Sequence, residues 1–127
     1  MDTQELHERG LKLRRELFGT AAVDERVKAL GEFGAPLQHL INAYAYGDVW
    51  SRPGLPLATR SLAMIAMMAA AGKPAELRVH LKGALKNGCS AEEIREILLL
   101  VALYCGIPAA NEAHKAAVEV LRESGTA

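Results

Sequence analysis

The chain has 127 residues, half of them hydrophobic and only 5% aromatic, with 15 basic side chains against 15 acidic ones. That length suits one domain spanning residues 1–127. The Ala- and Leu-rich palette favours helix over strand, and the balanced charge excludes a nucleic-acid surface or a polybasic membrane patch. The polar start MDTQELHERG is no signal peptide, the most apolar run, SLAMIAMMAAAG, is too short to span a bilayer, and Cys89 and Cys105 form no CxxC, so a cytoplasmic protein with reduced thiols is expected.

In chain order, residues 2–18 read as a charged surface helix, with Leu6, Leu13 and Leu17 between charges and a stop at Gly19. A second helical stretch runs from about Val23 to Gly47, broken near Gly34 to Pro36. The segment GDVWSRPGLP is rich in Gly and Pro and is expected to be a loop. Residues 57–71 predict a small-residue helix stopped by Gly72. Pro74 opens the next helix, which ends at Asn87-Gly88. Ser90 and Glu93 predict a capping box for a helix whose buried stripe is Ile94, Ile97, Leu98 and Val101. Gly106 ends it, and Pro108 opens a last helix to about Glu123. Short connections predict antiparallel neighbours, so the fold class is all-α, a bundle of about six helices. Two of these helices, 57–71 and 94–105, are apolar nearly all round, which one small chain cannot cover. An oligomer is expected.

The candidate chemistry sits on few residues. Glu76 and His80 are four apart on one helix and can touch. A carboxylate beside an imidazole suits a general acid or base, although the spacing alone favours a solvated surface pair. A metal site would need His39 or His114 to converge on the pair, which spacing cannot show. Arg60 lies among apolar neighbours and must either meet an anion or snorkel to solvent. Trp50 and Arg52 sit in the Pro/Gly segment, where they either cover a binding site or anchor the loop to the core. Met64, Met67 and Met68 read as core filler. Cys105, beside Tyr104 at a helix end, reads by default as a small buried thiol. His7, His39 and Cys89 carry no usable signal.

The segments VWSRPGL, TRSLAMIA, ELRVHLKGALKNGCSAEEIREILL and YCGIPAANEA together resemble the carboxymuconolactone decarboxylase family, over roughly residues 30 to 122. The resemblance implies an alkylhydroperoxidase D-like helical subunit assembled into trimers or hexamers. It also implies a reaction without cofactor or metal, on a small carboxylated lactone. The related disulfide peroxidases carry Glu, eleven residues, CxxC, three residues and His. On this chain that pattern retains His80 but falls on Ser61, Lys73 and Glu76 at the other positions, so no dithiol remains for peroxide chemistry.

In the family reaction, loss of carbon dioxide from gamma-carboxymuconolactone pushes an electron pair through the ring alkene onto the lactone carbonyl. The protein must bind carboxylates, face the developing oxyanion with donors, and protonate the alpha carbon. The resemblance therefore implies His80 and Glu76 as proton shuttles and Arg60 and Arg52 as anion clamps, with Trp50, Tyr104 and Cys105 against the substrate. In a symmetric hairpin of 57–71 and 74–88, Arg60 lies about five residues, near 8 Å, from the level of His80. Glu112 and His114 are either surface residues or part of a reshaped pocket.

Overall fold

A computed structural model describes residues 1–126. These fold into seven α-helices and one π-helix, with no strand among the described residues. The helices are α1 (Thr3–Phe18), α2 (Thr20–Leu30), α3 (Ala35–Leu40), π1 (Ile41–Val49), α4 (Leu57–Ala71), α5 (Pro74–Lys86), α6 (Ala91–Cys105) and α7 (Ile107–Glu123). They divide into two compact units, Met1–Leu55 and a second beginning at Pro56. No helix among the described residues is long and apolar enough to cross a membrane.

The first unit departs most from expectation. The stretch from Val23 to Gly47 becomes two short helices and then π1, which takes in Gly47, Asp48 and Val49 of the presumed loop. The backbone of Trp50 closes π1 with a bond to the carbonyl of Ala45, five residues back, at 2.8 Å. Asn42, Tyr46 and Trp50, four apart, are all buried. π1 lies directly on α1 because glycine faces it from both sides. A Cβ on Gly10 would stand 1.5 Å from the carbonyl oxygen of Asn42, and one on Gly47 would stand 2.1 Å from that of Leu6.

The face of α1 that meets π1 is not merely charged surface. Gly10, Arg14 and Leu17 are buried on it, at helical spacing. The Arg14 guanidinium donates to Gln38 Oε1 at 2.7 Å and to Asn42 Oδ1 at 3.1 Å. It lies 6.0 Å from the centroid of Tyr46, which Trp50 stacks at 5.4 Å and Phe18 meets edge-on at 5.7 Å.

The second unit is a four-helix bundle, α4 to α7, built as the local signals predict. Gly72 takes the left-handed conformation, and Lys73 N–H bonds to Met68 O at 3.0 Å, closing α4. Pro74 stands at the start of α5 and Pro108 in the first turn of α7. Ser90 and Glu93 form the reciprocal capping box, at 2.9 and 3.0 Å. Each helix gives one stripe to the core: Ile65 and Ala69; Leu77, Leu81 and Ala84; Ile94, Leu98 and Val101; Ala113, Ala117 and Val120. Burying about a dozen such side chains at ~1–3 kcal/mol each dominates the unit's stability. Arg78 bonds to Glu119 across α5 and α7 on the outside. What the chain leaves uncovered is also apolar. Leu99, Leu100, Leu103 and Tyr104 of α6, with Ile107 of α7, are half to four-fifths exposed.

Candidate active site

The buried face of α5 carries Leu77, His80, Leu81 and Ala84, at i, i+3, i+4 and i+7. An imidazole therefore occupies a core position, and His80 is only 5% exposed. Glu76 shares that stripe, but it belongs to the first turn, where the helix end projects from the bundle, and it is exposed.

Arg60 is half-buried on α4, and its neighbour Ser61 is fully buried. Asn87 Nδ2 at the end of α5 donates to Ser61 Oγ at 2.9 Å. Cys89 Sγ–H points to Ala58 O at 3.4 Å. These two contacts fix how α4 lies along α5. Carried down the hairpin, they set Arg60 opposite residue 87 or 88 and His80 opposite Met67 or Met68. The levels of Arg60 and His80 then differ by about seven to eight residues, or ~11 Å at 1.5 Å per residue. That exceeds the ~8 Å expected of a symmetric hairpin.

The remaining predicted residues lie elsewhere. In the first unit, Trp50 is part of the aromatic stack, so it anchors its segment. Arg52 is exposed and bonds to Asp48 Oδ1 at 3.0 Å, and that carboxylate raises the guanidinium further above its ordinary value. In the second unit, Tyr104 and Cys105 end α6. Cys105 is exposed rather than a small buried thiol, because the last turn of α6 runs past the core that ends at Val101, and Tyr104 is 81% exposed. Cys89 is the buried thiol instead; burial, and then the charge of Glu93, push it up from its ordinary value. A raised thiol is a poor nucleophile.

Glu112 helps line a cavity of about 360 Å³ with Lys73, Pro74, Leu77 and Pro108, at the turn between α4 and α5. Half-buried His114 is held by a contact of its Nδ1 with Ala110 O at 2.7 Å. Among the described residues, no three His, Cys, Asp or Glu side chains converge to hold a metal ion.

Sequence reasoning missed the Ser61–Asn87 bond and the Arg14 cluster. A signal for Arg14 was present, since it repeats at helical spacing with Gly10 and Leu17. No local signal marks Ser61. An imidazole at a core position and a half-buried arginine on the packed neighbour are the proton-transferring and anion-binding groups that the hairpin offers.

A model of the "Carboxymuconolactone decarboxylase family" matches residues 35–119. The chain is 40% identical over 127 residues to 4-carboxymuconolactone decarboxylase of Acinetobacter baylyi, covering 100% of this chain and 95% of that protein. It is 39% identical over 113 residues to nitrosuccinic acid decarboxylase of Metarhizium robertsii, covering 86% of this chain and 79% of that one.

Proposed function

Since the chain belongs to the carboxymuconolactone decarboxylase family and is a carboxy-lyase, we propose that it converts gamma-carboxymuconolactone to beta-ketoadipate enol-lactone and carbon dioxide without a cofactor. The observation that carries this reading is the full-length similarity to a decarboxylase named for that substrate. The core position of His80 supports it, because a buried imidazole held by helix packing is a pre-aimed proton donor.

In this reading the substrate lies along the α4–α5 hairpin. Arg60 binds a carboxylate at one end. At the other end, His80 stabilises the developing oxyanion and delivers the proton to the alpha carbon. Glu76, at the exposed start of the same helix, is the second acid–base group. On the first unit, Arg52 is a candidate anion clamp if a carboxylate displaces Asp48 from it, and Trp50 anchors the segment that carries it. Tyr104 and Cys105 are exposed in the single chain and take part only as one chain's contribution to a neighbour's site. The uncovered Leu99, Leu100, Leu103 and Ile107 support assembly into a homo-trimer or homo-hexamer, working in the cytoplasm as one 127-residue domain per chain.

The nitrosuccinic acid relative favours a second reading, in which the substrate is a nitro acid. Either way, the electron pair left by carbon dioxide enters an acceptor within the substrate, a lactone carbonyl through an alkene or a nitro group. The test is incubation with gamma-carboxymuconolactone, and separately with nitrosuccinate, without added metal or cofactor. Formation of the enol-lactone and carbon dioxide is expected. Turnover of nitrosuccinate alone selects the second reading, and turnover of neither defeats both.

A further inference from the structure

The first unit carries an apolar face that the reaction above does not use. Leu30, Phe33, Leu37, Leu40 and Tyr44 follow one another at intervals of three, four, three and four residues, the spacing of a helix–helix seam. The backbone gathers them. Gly34 N–H bonds to Leu30 O at 3.1 Å, and a Cβ on Gly34 would stand 2.3 Å from that of Leu30, so Leu30 lies against the start of α3. Phe33 stands at the tip of the turn between α2 and α3. α3 then passes directly into π1, which puts Leu37, Leu40 and Tyr44 on successive turns. The opposite side of this stretch carries Gln38, Asn42 and Tyr46, buried against Arg14 of α1.

In chain order the five apolar side chains are 46, 95, 51, 54 and 44% exposed. Together they offer roughly 500 Å² of apolar surface, the size of patch that marks an interaction site. No Asp, Glu, Lys or Arg occurs from Phe33 to Gly47, in a chain where 24% of residues are charged. Such depletion is a property of interface cores rather than of solvated faces. It also argues against a membrane surface, which an amphipathic helix meets with Lys and Arg beside its apolar side chains.

A second copy of the chain fits this face for two reasons. A two-fold axis sets each residue near its own copy, so a charged face repels itself, and this one has no charge to repel. The spacing is also nearly symmetric. Counted from Leu37, the other four lie seven and four residues before it and three and seven after it. With two copies antiparallel and Leu37 on the axis, Leu30 meets Tyr44 of the partner subunit, and Phe33 meets Leu40 of the partner subunit. The pair buries about 1,000 Å², the lower end of what a specific interface needs.

We propose that Leu30, Phe33, Leu37, Leu40 and Tyr44 form a self-complementary surface on which two copies of the chain pair about a two-fold axis. It is separate from the α6–α7 surface that supports assembly under the proposed function, and it goes beyond that reading: whatever ring the α6–α7 surface closes, this one doubles it.

Sedimentation velocity at micromolar concentration tests it, and because the readout is mass, the outcome is independent of turnover of any substrate. Leu37→Glu sets two carboxylates together at the axis and should halve the mass of the assembly while leaving the circular dichroism unchanged. Leu37→Lys should do the same. Mixing the two variants should restore the full mass, because opposite charges then meet across the axis. Phe33→Glu should also halve the mass, and it decides the matter if the Leu37 variants fail to fold, since a side chain 95% exposed contributes little to folding. Leu103→Glu, on the α6–α7 surface, should leave a species of at least two chains, so failure of that surface stays distinguishable. The proposal is overturned if the unsubstituted protein is a monomer, if Leu37→Glu and Phe33→Glu keep its full mass, if the mixed Leu37 variants stay at half, or if Leu103→Glu runs as a monomer.

Discussion

His80→Ala separates catalysis from structure, because the same side chain is buried and proposed to move a proton. Removing a ring that is 5% exposed leaves a cavity in the α5 stripe. Truncations of this kind cost ~2–5 kcal/mol, and the small residues nearby, Gly83 and Ala84, limit how far the site can collapse around the gap. For a chain of this length each kcal/mol lowers Tm by roughly 3–6 °C, so a fall on the order of 10 °C is expected. Loss of a positioned acid–base group should lower kcat by about a hundredfold or more in the protein that remains folded. His80→Gln fills more of the cavity and keeps a hydrogen-bonding group but cannot carry the proton. It should recover much of the Tm and little of the rate. Thermal denaturation and steady-state kinetics on the same preparation read both effects. A destabilised His80→Ala whose folded fraction turns over normally would refute the acid–base role and leave His80 a structural histidine.

Arg60→Ala should mainly raise KM if the guanidinium binds a substrate carboxylate equally in ground and transition states, whereas a matching fall in kcat would place it on the developing oxyanion. Gly10→Ala puts a methyl 1.5 Å from the Asn42 carbonyl, where only backbone could move. It should destabilise by ~3 kcal/mol or more in chemical denaturation, and a change under 1 kcal/mol would refute the close packing of α1 on π1. In thiol titration at neutral pH, exposed Cys105 should react at least about tenfold faster than Cys89, with two equal thiols only after unfolding. The Cys89 thiol is raised from its ordinary value of 9.0 by folding. Its contribution to stability is therefore full below pH 9 and is lost as pH rises through the folded value, so Cys89→Ala should flatten the alkaline decline in Tm.

The second unit was legible because its boundaries are local decisions. Gly72, Pro74, the Ser90–Glu93 box and Pro108 act on their own backbone within a turn, and the stripes from Ile65 to Val120 follow helical spacing, so chain order alone predicts four helices. The family, too, could be read from linear motifs, and His80 was singled out because it keeps a motif position.

Tertiary structure decided which polar groups go inside. Arg14 looks like any helix-surface charge until Gln38 and Asn42 arrive from 24 and 28 residues away. The π-helix took residues that Gly and Pro had marked as loop, and its approach to α1 rests on two glycines 37 positions apart, Gly10 and Gly47. Spacing put Glu76 and His80 on one helix face, and packing left Glu76 exposed and His80 in the core. The register of α4 on α5 depends on a hydrogen bond between Ser61 and Asn87 that no short window contains. Local sequence determines where a helix starts and stops, because capping and backbone preference act over a few residues. What a side chain touches depends on segments that only folding brings together, so the contents of the candidate site came from packing.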